Sequence, residues 1–238
     1  MTTQPFYPSQ QDFNGLESAE VITPKQRTVE WYEARRGRFT GSEVWKLMTE
    51  PRTKAAKDSG ELSEKAKTYT NQVLAEVITG ITPDISSASM QWGIEHEREA
   101  KEVYQSYFSE AIEDCDFISD GRYGGGSPDG FIGKDGIAEI KCPYNSGIHL
   151  ENCAFAFGLP SAASFKEQYK EYYYQIQNNL KVTGRKFCRF ISFDPRFKGT
   201  HRISCVTVER VEDDIKLIHE KVSAASVVME EIKTRLGL

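Results

Sequence analysis

No stretch of this 238-residue sequence approaches the roughly 18–20 consecutive apolar residues that would cross a bilayer. Residues 1–10 carry neither a basic flank nor an apolar run, so no membrane association and no secretion signal are expected. Cysteine is sparse and badly spaced for cofactor chemistry. Cys115, Cys142, Cys153, Cys188 and Cys205 form no CxxC pair and no Cys/His cluster, which argues against an iron–sulfur or structural zinc centre and for reduced, mostly buried thiols in a cytoplasmic protein. Internal repeats and linkers are missing as well. Nor is there a surplus of positive charge. The 30 Lys and Arg face 35 Asp and Glu, a net charge of -5, and that total by itself speaks against a nucleic-acid binder. What is present excludes global disorder, since 39% of residues are hydrophobic and 11% aromatic.

The patterning predicts one α/β domain over residues 25–238, preceded by a polar, proline-bearing arm over residues 1–24. Helices are expected over 28–36, from an N-cap at Ser42 to Met48, along a Tyr69/Val73/Val77 stripe ending at Gly80, and over 88–108. Residues 51–60 read as a charged loop. Strands are expected over 115–119, 130–133, 137–141, 186–193 and 203–209. An aromatic helix over 165–182, closed by Gly184, lies between the last two pairs. A final helix carries Ile215, Ile218, Val222, Met229, Ile232 and Leu236. Gly124-Gly125-Gly126 only superficially resembles a phosphate loop, because no Gly-Lys-Ser/Thr follows.

The informative residues are carboxylates placed where apolar side chains belong. On a wheel of about 100° per residue, Met90, Ile94, Ala100, Tyr104 and Phe108 share one face of the 88–108 helix, and Glu97 falls in the middle of it. A carboxylate there needs a cation or donors nearby. Further along, Asp129-Gly130 leads through a Gly133–Gly136 turn into Ile137-Ala138-Glu139-Ile140-Lys141, a hairpin pattern. Alternation puts Glu139 and Lys141 on one face. A turn centred between Lys134 and Asp135 sets Asp129 opposite Ile140, so a bulge or bend near Pro128 or Gly130 must turn it toward Glu139. Two carboxylates and a backbone carbonyl are hard oxygen ligands suited to Mg²⁺ or Mn²⁺. The lysine can hold or activate a water and offset charge on a phosphate.

Asp129, a nine-residue spacer and Glu139-Ile140-Lys141 resemble the PD-(D/E)xK motif of restriction-endonuclease-like nucleases. More narrowly, the chain resembles the phage lambda-type alkaline exonucleases, the YqaJ-like viral recombinase nucleases. The resemblance is carried by WYEARRGRFTGSEV from Trp31 to Val44, WGIEHE from Trp92 to Glu97, SPDG from Ser127, EIKCP from Glu139, YYYQ from Tyr172 and FDPR from Phe193. It implies a restriction-endonuclease-like core, a mixed β-sheet flanked by helices. It implies that Asp129, Glu139, Glu97 and the Ile140 carbonyl hold Mg²⁺, with Mn²⁺ a substitute and two ions per active site, while Lys141 positions or activates the attacking water. Gln175 corresponds to a polar residue beside the catalytic centre. Arg35 and Ser42 correspond to positions that hold a 5′-terminal phosphate, with Arg36 the alternative to Arg35. Ser127 and Tyr172 are further candidates for DNA contact.

The implied activity is 5′-to-3′ digestion of one strand of duplex DNA from its ends, releasing 5′-mononucleotides for recombination by strand annealing in a bacterial or phage-infected cell. The resemblance also implies a homotrimeric ring and a single-strand annealing protein as partner. A non-catalytic DNA-end-binding scaffold or another PD-(D/E)xK endonuclease are the competing readings. The net charge no longer weighs against DNA. Residues 25–57 hold nine basic and four acidic residues, residues 166–202 nine and three, and the acidic block between them, 92–141, five and twelve.

Overall fold

The computed structural model describes residues 26–83 and 87–238, so the arm expected over residues 1–24 lies outside the described residues. The chain runs α1 (Val29–Arg35), β1 (Phe39–Thr40), α2 (Gly41–Val44), α3 (Lys54–Asp58), α4 (Glu64–Thr79) and α5 (Ala88–Phe108). Then come β2 (Ile118–Asp120), β3 (Gly124–Gly126), β4 (Gly130–Ile132), β5 (Gly136–Lys141), α6 (Ser146–Phe157), α7 (Ala162–Gln168) and α8 (Lys170–Thr183). The chain ends with β6 (Phe187–Phe193), a 3₁₀ turn (Gly199–Arg202), β7 (Ile203–Glu209) and α9 (Glu212–Leu236). No described helix is long and apolar enough to cross a membrane.

The strands form two mixed sheets rather than one. Strands β4-β5-β6-β7 make the larger, with β5 and β6 parallel and the outer pairs antiparallel, and β1-β3-β2 make the smaller. Alternation along the larger sheet divides the core. Ile137, Cys188, Phe190, Val206 and Val208 face a cluster that includes Tyr173, Ile176 and Leu180 of α8. Ala138, Ile140, Ile191, Phe193 and Ile203 face Ala100 and Tyr104 of α5. Each large side chain fully buried here contributes roughly 1.5–3 kcal/mol. Helices α5 and α8 therefore sandwich β5, which sets Glu97 of α5 and the amides Gln175 and Asn179 of α8 around Glu139 and Asp129.

Several local expectations change. Thr40, not Ser42, is the N-cap of α2, so Ser42 sits exposed in its first turn. Helix α3, capped by Thr53, occupies the segment expected as a charged loop. Helix α6, capped by Asn145, carried no recognised stripe. The aromatic helix is broken at Tyr169 (φ -129°, ψ 52°), whose ring is wedged against Phe155, Phe165 and Phe190. The apolar arc of α5 is buried only at Ala100 and Tyr104, while Met90, Ile94 and Phe108 are exposed.

The glycine run is the largest surprise. All three glycines are buried in β3, the central strand of the small sheet. A Cβ on Gly125 would stand 2.2 Å from the Phe117 ring, and one on Gly126 would stand 2.6 Å from Asn179 Oδ1. The strand is glycine because Phe117 and α8 press on it from close range. Gly125→Ala is expected to destabilise the protein by about 1–3 kcal/mol through overpacking, read as a lower midpoint in urea denaturation.

Candidate active site

Glu139 lies in the middle of β5, and only 1% of it is exposed. Its Oε1 accepts hydrogen bonds from Lys141 Nζ (2.7 Å) and Gln175 Nε2 (2.6 Å), and its Oε2 accepts from Asn179 Nδ2 (3.2 Å). Gln175 and Asn179 are one helical turn apart on α8, so both amides project from the same face. Lys141 Nζ also donates to Gln175 Oε1 (3.3 Å) and sits 4.9 Å from the centre of the Tyr172 ring. Burial alone would lower the Lys141 pKa, but Glu139 and Asp129 outweigh it, and the net direction is upward. Lys141 is therefore held as an ammonium that donates to Glu139 and Gln175.

Asp129 reaches this group through the hairpin. Gly130 pairs with Ala138, one residue away from the register expected from the turn. The Asp129 amide nevertheless donates to the Ala138 carbonyl (3.0 Å), so Asp129 and Gly130 both address one residue and the chain bends there. Its Oδ2 accepts from the Ile140 N–H at 2.6 Å. Burial first, then the charges of Glu139 and Glu97, hold the Asp129 carboxyl well above the usual carboxylate range. Glu97 arrives from α5 with its side chain 14% exposed; its Oε2 pairs with Arg27, and its Oε1 lies 3.8 Å from Lys101 Nζ. Burial, together with Glu97 and Asp129, pushes the neighbouring Cys142 thiol up to about 12, which disqualifies it as a nucleophile.

A pocket of about 160 Å³ opens beside Asp129, lined by Gln26, Arg27, Trp31, Arg35, Ser42, Ser127, Gln175 and Asn179 among others. The Arg35 guanidinium stacks on Trp31 at 4.1 Å, and Trp31 Nε1 donates to Ser127 Oγ (3.2 Å). Burial lowers the Arg35 pKa, but arginine remains charged. The structure thus brings Arg35, Ser42, Ser127, Gln175 and Asp129 together. Arg36 does not line the pocket; its Nε is buried without a partner among the described residues. Tyr172 touches the site through Lys141 and packs its ring on Phe190.

Asn179 and Arg27 were not found from sequence. The four-residue step from Gln175 was the available signal for Asn179; nothing local marked Arg27.

Among the described residues no three acidic side chains are already gathered into a cation cage. Glu97 is turned to Arg27 and Lys101, and Glu139 to Lys141 and two amides. The donor set still fits a divalent cation. Burial first, and then the charges of Glu139 and Glu97, raise the Asp129 pKa, and the three carboxylates offer hard oxygens suited to Mg²⁺ or Mn²⁺.

Comparison with known proteins bears on the family and the fold. A family model described as a YqaJ-like viral recombinase domain matches residues 30–186. The alkaline exonuclease LHK-Exo from Laribacter hongkongensis superposes with a TM-score of 0.73 at 31% identity, over 88% of this chain and 96% of its own. Its complex with dAMP gives 0.72 at 30% identity, over 88% and 98%. A phage-related exonuclease from Haemophilus somnus 129PT shares the fold, with a TM-score of 0.69 at 18% identity over 84% and 96%. A comparison with curated proteins returned no match.

The raised Asp129 pKa has a consequence for stability. In the window between the unfolded aspartate value, about 3.9, and the higher folded value, the folded state holds the extra proton. Stability is therefore full below that window and falls as pH rises through it. Without divalent cations, Asp129→Asn is expected to raise the melting temperature at pH 7 by roughly 2–4 °C or more, about 1 kcal/mol for a chain of this size. The gain should vanish near pH 3.5, as thermal unfolding at the two pH values would read.

Proposed function

Because the chain belongs to the YqaJ-like viral recombinase family, we propose that it is a divalent-cation-dependent nuclease that digests one strand of duplex DNA from a 5′ end. One observation carries the reading. A single pocket is lined both by Asp129, one of the clustered carboxylates, and by Arg35, Ser42 and Ser127, which offer a guanidinium and two hydroxyls to a phosphate. A terminal phosphate held so near the carboxylates sets the scissile bond at a fixed step from the end, which favours release of 5′-mononucleotides and a 3′ single-stranded product. LHK-Exo, a relative crystallised with dAMP, supports a nucleoside monophosphate as product.

Asp129, Glu139, Glu97 and the Ile140 carbonyl would hold two Mg²⁺ or Mn²⁺ ions. A divalent cation supplies Lewis-acid polarisation of the phosphodiester. The protein's own part is orientation and charge. Gln175 and Asn179 fix the Glu139 carboxylate by donating to both of its oxygens, as outer partners orient ligating groups. Lys141 keeps its proton on Nζ, so it orients the attacking water by donation and offsets negative charge gathering on the phosphate. The reading extends to a homotrimeric ring acting with a single-strand annealing protein in a bacterial or phage-infected cell.

The test is digestion of linear duplexes bearing 5′-phosphate or 5′-hydroxyl ends, in Mg²⁺ or EDTA. Cleavage should require Mg²⁺ and favour the 5′-phosphate, Lys141→Ala should slow it by about 10²–10³-fold, and Arg35→Ala should abolish the end preference. Cleavage that survives EDTA overturns the cation requirement. Equal attack on closed circular duplex would establish an endonuclease, and binding of ends without nucleotide release a scaffold.

A further inference from the structure

Arg27 stands in a position that the proposed reaction leaves without a role. The segment from Gln26 to Thr28 leads into α1 alongside the site, with Gln26 and Arg27 among the residues that line the pocket. Gln26 Nε2 donates to the Pro128 carbonyl (2.7 Å), immediately before Asp129, and Thr28 Oγ1 accepts from the Trp31 N–H (3.2 Å). Between these anchors Arg27 has φ 66°, a left-handed conformation that a non-glycine residue adopts only where its surroundings demand it. Held there, its guanidinium pairs with Glu97 Oε2 and lines the same pocket as Arg35 and Ser42.

We propose that Arg27 competes with the divalent cation for Glu97 and passes to a phosphate of an arriving DNA end, so that cation and DNA load the site cooperatively. The inference rests on the reading that Glu97, Asp129 and Glu139 hold the cation. With Arg27 on Oε2 and Lys101 3.8 Å from Oε1, Glu97 already faces two positive charges, and a divalent ion approaching it meets their repulsion. The Arg27 side chain is 37% exposed, and pairs of that kind are weak enough to exchange. A phosphate offers the guanidinium two oxygens in matching geometry, and the pocket that Arg27 already lines is where the terminal phosphate is placed. Once Arg27 turns to DNA, Glu97 Oε2 is released for the cation, with Lys101 remaining beside Oε1. Linkage makes the effect reciprocal, so the cation in turn favours DNA.

Arg27→Gly is the suitable variant, because glycine adopts positive φ without strain, and Arg27→Lys restores a charge without the planar fork. Mn²⁺ binding would be followed by the electron paramagnetic resonance of free Mn²⁺, alone and with a 5′-phosphorylated duplex whose terminal linkages resist hydrolysis. Without DNA, Arg27→Gly should bind Mn²⁺ about two- to fivefold more tightly than the native protein, the scale of an exchangeable ion pair, with Arg27→Lys between them. With DNA that advantage should disappear. Equal Mn²⁺ affinity without DNA, or an advantage that persists undiminished with DNA, overturns the competition while leaving the cation site standing. Absence of Mn²⁺ binding to every variant overturns the cation site and the competition together.

Discussion

A carboxylate enclosed in the middle of a β-strand must be satisfied by donors, and the arrangement of the whole site follows from how Glu139 meets that demand. Three donors on two elements reach its two oxygens: Lys141 from the same face of β5, and Gln175 and Asn179 from α8. Removing one partner of such a buried group costs about 3–5 kcal/mol when the other charge is left uncompensated. Helix α8 is thereby pinned over β5, and its approach in turn dictates the small residues beneath it. Cβ atoms at Gly41 and Gly126 would come within 2.8 and 2.6 Å of Asn179 Oδ1. The glycine strand and the start of α2 are small because an amide from α8 must pass close to both on its way to Glu139.

The charge distribution follows the same logic of local need. The overall charge of -5 describes no particular surface. In the first basic block, Arg27 and Arg35 line the pocket. The second block is largely spent inside the fold: Lys181 on Asp120, Arg189 on Glu110, Arg196 on Asp194, Arg202 on Glu99, and Arg185 on the carbonyls of Gly133 and Gly136. Sequence position suggested two basic flanks around an acidic centre. In the structure the first block supplies the pocket's two arginines, while much of the second pairs with acidic side chains and carbonyls of the fold.

Much of this was legible in the chain. The 88–108 helix has the bounds expected of it, α8 closes at Gly184 in the left-handed region (φ 68°), and β5 carries Glu139 and Lys141 on one face, where they hydrogen-bond. Such features depend on residues a few positions apart, where helix and strand periods act. The anomalous Glu97 was legible for the same reason, as a break in a local pattern. The glycine strand was not, since its cause is Phe117 and α8 rather than any preference of glycine for extended chain. The hairpin register was missed by one residue because the turn residues alone do not reveal where the strand entering it bends.

The sequence by itself determined the chemistry available: which carboxylates, amides and cations exist, and which face of its own helix or strand each occupies. Tertiary structure decided who meets whom. Arg27 and Glu97 are 70 residues apart, Asn179 and Glu139 are 40 apart, and Gln26 and Pro128 are 102 apart. No period of 2 or 3.6 residues reaches across such distances. The packing of α5 and α8 on opposite faces of β5, enforced by apolar burial and by the need to satisfy one enclosed carboxylate, is what brings Glu97 and Glu139 up to the pocket that Gln26, Arg27 and Asn179 line.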